Sequence, residues 1–190
     1  MPNILVAHHS DTNHTAAYAA ILCAAAAAQP SVTARCKPIL DVSCEDLIWM
    51  HGVALGSPVY WGGMSGAMKL FLDQIQTRCF EWPVHALRWR AGAGFTTGAH
   101  LASGKETAIR QFHTFYHSVQ MVPVGNEPPA ACLLGACATV RDGQEPPIFT
   151  DAEKADAHSL ATRLAMLATV LLPLISDENG NDSLLAYDSL

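Results

Sequence analysis

Gly52-Val53-Ala54-Leu55-Gly56-Ser57-Pro58-Val59-Tyr60-Trp61-Gly62-Gly63-Met64-Ser65-Gly66-Ala67-Met68-Lys69 is the stretch that decides how this chain is read. Its first five residues are continuous and uncharged, as a strand buried on both faces requires. A turn rich in glycine and aromatic residues follows. Met64, Met68, Phe71 and Ile75 then recur at near-helical spacing, which predicts a helix with the two methionines in its core face. Strand, loop and helix in this order form the repeating unit of a parallel sheet.

The same unit recurs on either side. Upstream, the run from Asn3 to His8 reads as a strand, Ser10 to Thr15 as a polar loop, and the alanine-rich stretch ending at Gln29-Pro30 as a helix. Tyr18, Ile21 and Leu22 give that helix its apolar face, and Val32 to Cys36 reads as an edge strand. Downstream, Ala91 to Thr97 is the next strand, and Ile109, Phe112, Tyr116 and Val119 mark the helix after it. Gln120 to Val124 is the strand beyond, followed by a long loop from Asn126 to Pro147. Thr150-Asp151-Ala152-Glu153 has the form of a capping box, and Leu160, Leu164, Leu167 and Leu171 continue the helix it opens. Five such units predict one α/β domain over residues 1–190, a doubly wound parallel sheet with helices on both faces. Ligands of such sheets sit at the carboxyl ends of the strands.

Bulk properties narrow the function. Half of the 190 residues are hydrophobic and 15% are charged, which indicates a folded core rather than disorder. A formal net charge of −6 offers no basic field for nucleic acid. The apolar run from Leu164 to Ile175 is short for a bilayer and contains Pro173, so no membrane insertion is expected. The six cysteines, Cys23, Cys36, Cys44, Cys79, Cys132 and Cys137, form no Cys-x-x-Cys pair; buried, reduced thiols and a cytoplasmic location are the expectation. Adjacent His8 and His9 point to opposite sides of a strand, and no second ligand cluster accompanies them, so no metal is expected.

Three loops at strand ends carry the chemistry. In the first, Ser10, Thr12 and Thr15 bring hydroxyls to a helix start, whose free backbone N–H groups suit a phosphate. Asn13 is the non-glycine residue best suited to a left-handed backbone there; simple helix capping is the other reading of the same residues. In the second, Pro58, Val59, Tyr60, Trp61 and Gly62 combine open backbone with aromatic surface, fit to line a flat ring or to pack against a partner subunit. In the third, Thr96, Thr97, Gly98, Ala99 and Gly104 again present backbone before a helix, in a ligand contact or a plain surface loop. Neither the Gly-x-x-x-x-Gly-Lys-Ser/Thr nor the Gly-x-Gly-x-x-Gly phosphate pattern is present.

Taken together, the three loops resemble those of the WrbA-type NAD(P)H:quinone oxidoreductases and, more broadly, the NADPH-dependent FMN reductases of flavodoxin-like fold. Ser10-Asp11-Thr12-Asn13-His14-Thr15 is similar to the family's phosphate loop, with Asn13 in the place of a glycine. The stretch from Gly56 to Lys69 is very close to its flavin-ring loop. Phe95-Thr96-Thr97-Gly98 with Gly104-Lys105-Glu106-Thr107 matches its third loop, where Ala99 and Ser103 replace glycines and Lys105 a glutamine; Val122-Pro123-Val124-Gly125 also fits. His51 stands where an acidic residue is common.

The resemblance implies a five-stranded sheet of order 2-1-3-4-5 that binds FMN. It further implies NAD(P)H as hydride donor, a quinone or similar flat acceptor using the same slot in turn, and a homo-oligomer (dimer or tetramer). His117 falls where the family often has a histidine near the flavin; His117 and His100 are the candidate catalytic groups, stabilising negative charge, and His14 a phosphate contact. A flavodoxin-like electron carrier and an FMN-free binding module are the alternative roles. The segment from Arg78 to Trp89 holds two tryptophans and is expected to cover the flavin, to form a subunit contact or to seal the bottom of the domain.

Overall fold

The computed structural model describes residues 1–79, 85–141 and 146–178. The elements in chain order are β1 (Asn3–His8), α1 (His14–Ala27), β2 (Thr33–Pro38), α2 (Cys44–Trp49), β3 (Gly52–Tyr60), β4 (Gly63–Met64), α3 (Gly66–Cys79), β5 (Ala91–Gly98), α4 (Lys105–Ser118), β6 (Val122–Val124), β7 (Ala136–Thr139) and α5 (Asp151–Glu178). The parallel strands run β2-β1-β3-β5-β6, the flavodoxin-like order anticipated from the sequence. Alternation along β1 explains the three layers. Ile4 and Val6 pack beneath α1 and α5 with Tyr18, Leu22, Phe95, Leu160 and Leu164. Leu5 and Ala7 pack on the other face with Leu47, Leu55, Met68, Phe112 and Tyr116. Period-two side chains buried on both faces are what a central parallel strand requires.

The fifth strand position is divided. Val122–Val124 pair with Ala91–Ala93, and Ala136–Thr139 pair with Phe95–Gly98, so β6 and β7 continue one line along β5. The stretch between them leaves the sheet and returns, where the sequence reading has an uninterrupted loop. Its neck is closed by the Asn126 N–H bonding the Leu133 carbonyl at 2.8 Å. Gly135 lies so close to β5 that a Cβ there would meet the Gly94 carbonyl oxygen at 2.1 Å. β7 escapes a pattern search because Ala136-Cys137-Ala138-Thr139 holds only small side chains. The six-residue α2 is likewise missing from the sequence reading, although Ser43 and Asp46 form a reciprocal capping box at its start.

Two further expectations are corrected. Cys44, the first residue of α2, and Cys79, the last of α3, are joined by a disulfide with Cα atoms 5.2 Å apart; both helix ends lie at one edge of the domain. Among the remaining thiols Cys36 is exposed, so the cysteines are neither uniformly reduced nor uniformly buried. In addition, the apolar run from Leu164 belongs to a longer helix, and Asp151–Ile175 is long and apolar enough by composition to cross a bilayer. Here Ala157, Leu160, Ala161, Leu164 and Ala168 of that helix are buried against the sheet and α1. Its start carries the capping box read from the sequence: the Thr150 N–H donates to Glu153 at 2.8 Å and the Glu153 N–H to Thr150 Oγ1 at 3.2 Å.

Candidate flavin site

The carboxyl ends of β1, β3 and β5 bring the three loops together. Asn13 is the N-cap of α1 with φ 61°, the left-handed backbone that its residue type favours. That conformation aims the first N–H groups of α1 outward, and they have no partner within the helix. Ser10 and His14 are half-buried, whereas Thr12 and Asn13 are exposed. Thr15 is buried, and its hydroxyl meets that of Thr97 at 2.7 Å, tying the first loop to the third strand end.

The second loop is a tight hairpin. β3 continues three residues past Ser57, to Tyr60, and pairs with β4 through Val59↔Met64 and Tyr60↔Gly63. Trp61 (φ 51°) and Gly62 (φ 86°) occupy the two turn positions, both left-handed as such two-residue hairpins demand. Pro58 and Val59 are half-buried beside the third strand end, Pro58 pairing with Thr97. Tyr60 donates its hydroxyl to Asp11 at 2.6 Å, which links the second loop to the first. Partial burial and the Asp11 carboxylate push the Tyr60 hydroxyl up to about 12, so it remains a donor. Trp61 projects freely, at 105% exposure.

The third loop closes against the second. Gly104 has φ +93°, and a Cβ on it would meet the Gly62 carbonyl oxygen at 2.4 Å. Only a glycine permits that approach. Ala99 and His100 are exposed, and the His100 carbonyl accepts from Ser103 Oγ at 2.9 Å. The hydroxyls of Thr96 and Thr97 are committed within the protein, Thr96 to Cys137 and Thr97 to Thr15. These two threonines and Gly98 offer a ligand their strand-end backbone rather than their side chains.

His117 is placed differently. It is exposed in the last turn of α4, about 18 Å of helix from Lys105 and beside the opposite end of the sheet. Within one protomer it does not meet the loops. Trp89 also lies at that far end, its N–H on the Gln120 carbonyl, just before β5 begins. Within one protomer Trp89 therefore does not cover the flavin loops; Phe80 to Val84, with Trp82, lie outside the described residues.

Three residues that are not among the candidate site residues help to build the site. Asp11 holds Tyr60 and lies 3.4 Å from His9 Nε2. Gln111 on α4 accepts the Met64 N–H at 2.8 Å and so braces the hairpin. Ser65 caps α3, its hydroxyl accepting from the Met68 N–H at 3.2 Å. A serine ahead of an apolar helix was a legible signal. Asp11 and Gln111 bond across the fold and left none.

The donor set fits a flavin mononucleotide. His14 Nε2 and His9 Nδ1 are buried beside the first loop without a hydrogen-bond partner, an arrangement that calls for a ligand or water. His14 Nδ1 lies 3.1 Å from Thr12 Oγ1; when it accepts that hydroxyl, Nε2 carries the proton and can donate to a phosphate. Exposed aromatic rings and the closely approaching Gly62 and Gly104 supply a face and an open backbone for a flat ring. Among the described residues there is no group of three or more histidines, cysteines or carboxylates suited to a metal ion.

Comparison with known proteins agrees with this geometry. The chain is 37% identical to an iron–sulfur flavoprotein of Methanocaldococcus jannaschii over 89 residues, 47% of this chain and 44% of that protein. It is 33% identical to an NAD(P)H dehydrogenase (quinone) of Acidithiobacillus ferrooxidans over 81 residues, 43% of this chain and 39% of that one. The chain thus spans less than half the length of these curated relatives. The fold superposes on a WrbA-like flavodoxin from Agrobacterium tumefaciens with a TM-score of 0.68 at 19% identity, covering 90% of this chain and 99% of that one. The model of the family described as NADPH-dependent FMN reductase matches residues 14–131. FMN and NAD(P)H, named from the loops, are the flavin and donor of that family, and this chain, a flavodoxin-like flavoprotein, belongs to the NADPH-dependent FMN reductases.

Proposed function

We propose that the chain is one FMN-binding domain that passes two electrons from NAD(P)H to a quinone or similar flat acceptor, the two substrates using one slot in turn. The observation that carries this reading is the convergence of the three loops, locked by Thr15–Thr97, Tyr60–Asp11 and the Gly62–Gly104 approach. The chemistry FMN supplies when bound is two-electron exchange with a nicotinamide and an acceptor.

The protein's share is binding and exclusion. Ser10, Thr12, His14 Nε2 and the N–H groups at the start of α1 hold the phosphate without a lysine or arginine. Pro58 to Gly62 and Thr96 to Gly104 line the ring with backbone groups, and the exposed Trp61 forms one wall of the slot. His100 is the charge-stabilising group that a single protomer can bring to the acceptor. His117 joins the slot only from a second copy, so its part in the reaction goes with assembly as a dimer or tetramer.

The test is an FMN titration of the purified protein followed by anaerobic NADH or NADPH and then benzoquinone. Stoichiometric uptake, bleaching by the nicotinamide and rapid reoxidation by the quinone are the expected sequence. Uptake without bleaching favours an electron carrier; absence of uptake overturns the assignment.

A further inference from the structure

Lys105 stands where the loop resemblance expects a glutamine, and the proposed flavin contacts make no use of its side chain. It is the first residue of α4 and only 7% exposed. Its stem runs behind the third loop: a Cβ on Gly98 would lie 3.3 Å from Lys105 Cε and 3.4 Å from Val59 Cβ. Gly98 and Val59 both belong to the proposed lining of the ring. The ammonium then turns to the end of β7, where Nζ donates to Thr139 Oγ1 at 2.8 Å.

That is an unfavourable place for a cation. Burial disfavours the charged form, and the start of a helix is its positive end. An ammonium has three donors, and among the described residues its one hydrogen-bond partner is the neutral Thr139 hydroxyl. The full charges that bear on it are those of Glu153 and Arg141. These two already pair with each other at 3.2 Å, and Glu153 also accepts the Thr139 N–H at 2.7 Å. Lys105, Arg141 and Glu153 together therefore leave one positive charge uncompensated behind the third loop. Burial pulls the Lys105 ammonium below the ordinary lysine range, with Cys137 and Glu153 acting the other way. A donor for Thr139 is all that the local structure requires, and a glutamine amide would supply it without a buried charge.

We propose that Lys105 sets the redox potential of bound FMN, its buried charge stabilising the reduced ring; this rests on the FMN site proposed above. A hydride leaves NAD(P)H with two electrons and one proton, NAD(P)+ remains, and the neutral ring gains one negative charge. Lys105 favours that charged state over the oxidised one, and its charge is fixed before the transfer, so nothing has to reorganise. At an effective dielectric of about 20, a unit charge roughly 12 Å away shifts such an equilibrium about tenfold.

The experiment measures the midpoint potential of bound FMN at neutral pH, by anaerobic equilibration with a reference dye, and the Kd of oxidised FMN by fluorescence titration. The proteins are the wild type, Lys105→Gln, Lys105→Met and Thr139→Val. Lys105→Gln keeps a donor for Thr139 and loses the charge; Thr139→Val loses the hydrogen bond and keeps the charge. Both Lys105 variants are expected to bind reduced FMN about tenfold more weakly relative to oxidised FMN, which lowers the potential by about 30 mV. Thr139→Val is expected to stay near the wild-type potential. Both Lys105 variants relieve a buried charge, so thermal melting is expected to show them folded. A lowered potential in Lys105→Met with Lys105→Gln like the wild type would reduce Lys105 to a partner of Thr139 and overturn the proposal. Equal potentials in all four proteins, each with FMN bound, would overturn it and leave the flavin assignment standing. Absence of FMN uptake by the wild type would overturn both.

Discussion

The two ends of the sheet solve opposite problems. At the amino ends of the strands Arg90 and Asn3 have their polar groups closed off by the protein itself. Arg90, 7% exposed, donates to the Met50 carbonyl at 2.9 Å, the Ile48 carbonyl at 3.3 Å and the Ala86 carbonyl. Asn3 donates its N–H to His51 Nδ1 and its side-chain amide to the Trp49 carbonyl, both at 2.9 Å. At the carboxyl ends, the loops touch at a few points only, and His9 and His14 keep buried ring nitrogens without partners. One end spends its hydrogen bonds on stability, and the other holds them for a ligand. His51 accepts the Asn3 N–H and so serves the closed end, not the flavin.

Substitutions at the two ends should therefore separate stability from binding. The largest effect is expected for Arg90→Ala, which strands the buried Met50 carbonyl, frees those of Ile48 and Ala86 and removes a buried cation. A loss of about 3 kcal/mol of unfolding free energy is expected, with FMN affinity per folded molecule unchanged. Weakened FMN binding by the folded fraction would break the comparison. Gly104→Ala tests the open end: its Cβ collides with Gly62 backbone and its φ of +93° is strained. FMN affinity is expected to fall at least tenfold, whereas the stability cost stays near 1–2 kcal/mol. Unchanged affinity would mean that the third loop does not shape the flavin pocket.

pH should act through histidines at both ends of the sheet, His51 at the closed end and His8 at the carboxyl end of β1. Burial first, then the neighbouring Arg90 charge and the N-terminus, hold His51 below its ordinary value of 6.5. Burial does the same at His8 and His113. Each folded histidine therefore resists a proton that the unfolded chain accepts below about pH 6.5, so protons favour unfolding there. Stability is full above that pH and declines as pH falls through the window beneath it. His51→Gln, which preserves an acceptor for the Asn3 N–H, is expected to flatten part of the slope in denaturant titrations at pH 5 and 7. An unaltered slope would show that Asn3 and His51 do not stay paired in solution.

How much of this was legible in the sequence follows the range of the interactions involved. β1, β3 and the long helices announce themselves through apolar period, and Thr150 with Glu153 caps α5 by a three-residue rule. The left-handed Asn13 follows from its residue type and its place before a helix. The break between β6 and β7 carries no periodic signal, since small residues suffice beside β5. The Cys44–Cys79 disulfide spans 35 residues and depends on where two helix ends meet. His117 shows the limit of motif order: the residue matched its expected place along the chain, but twelve residues of α4 carry it to the far end of the sheet.

Trp61 offers the smallest and sharpest test, because its role and its conformation pull in opposite directions. It is fully exposed and buries no apolar surface, yet it holds a left-handed turn position at φ 51° that costs a bulky residue about 1 kcal/mol. Trp61→Asn supplies the residue such turns prefer next to glycine, so stability is expected to rise by up to about 1 kcal/mol. If the ring forms a wall of the slot, the same change removes stacking worth roughly 0.5–1.5 kcal/mol. The KM for a quinone, or the Kd for FMN, should then rise about two- to tenfold. A variant that is more stable and equally active would leave Trp61 without a part in the site. A variant more stable but weaker in binding would show that this strain is retained at the open end for the sake of the ligand.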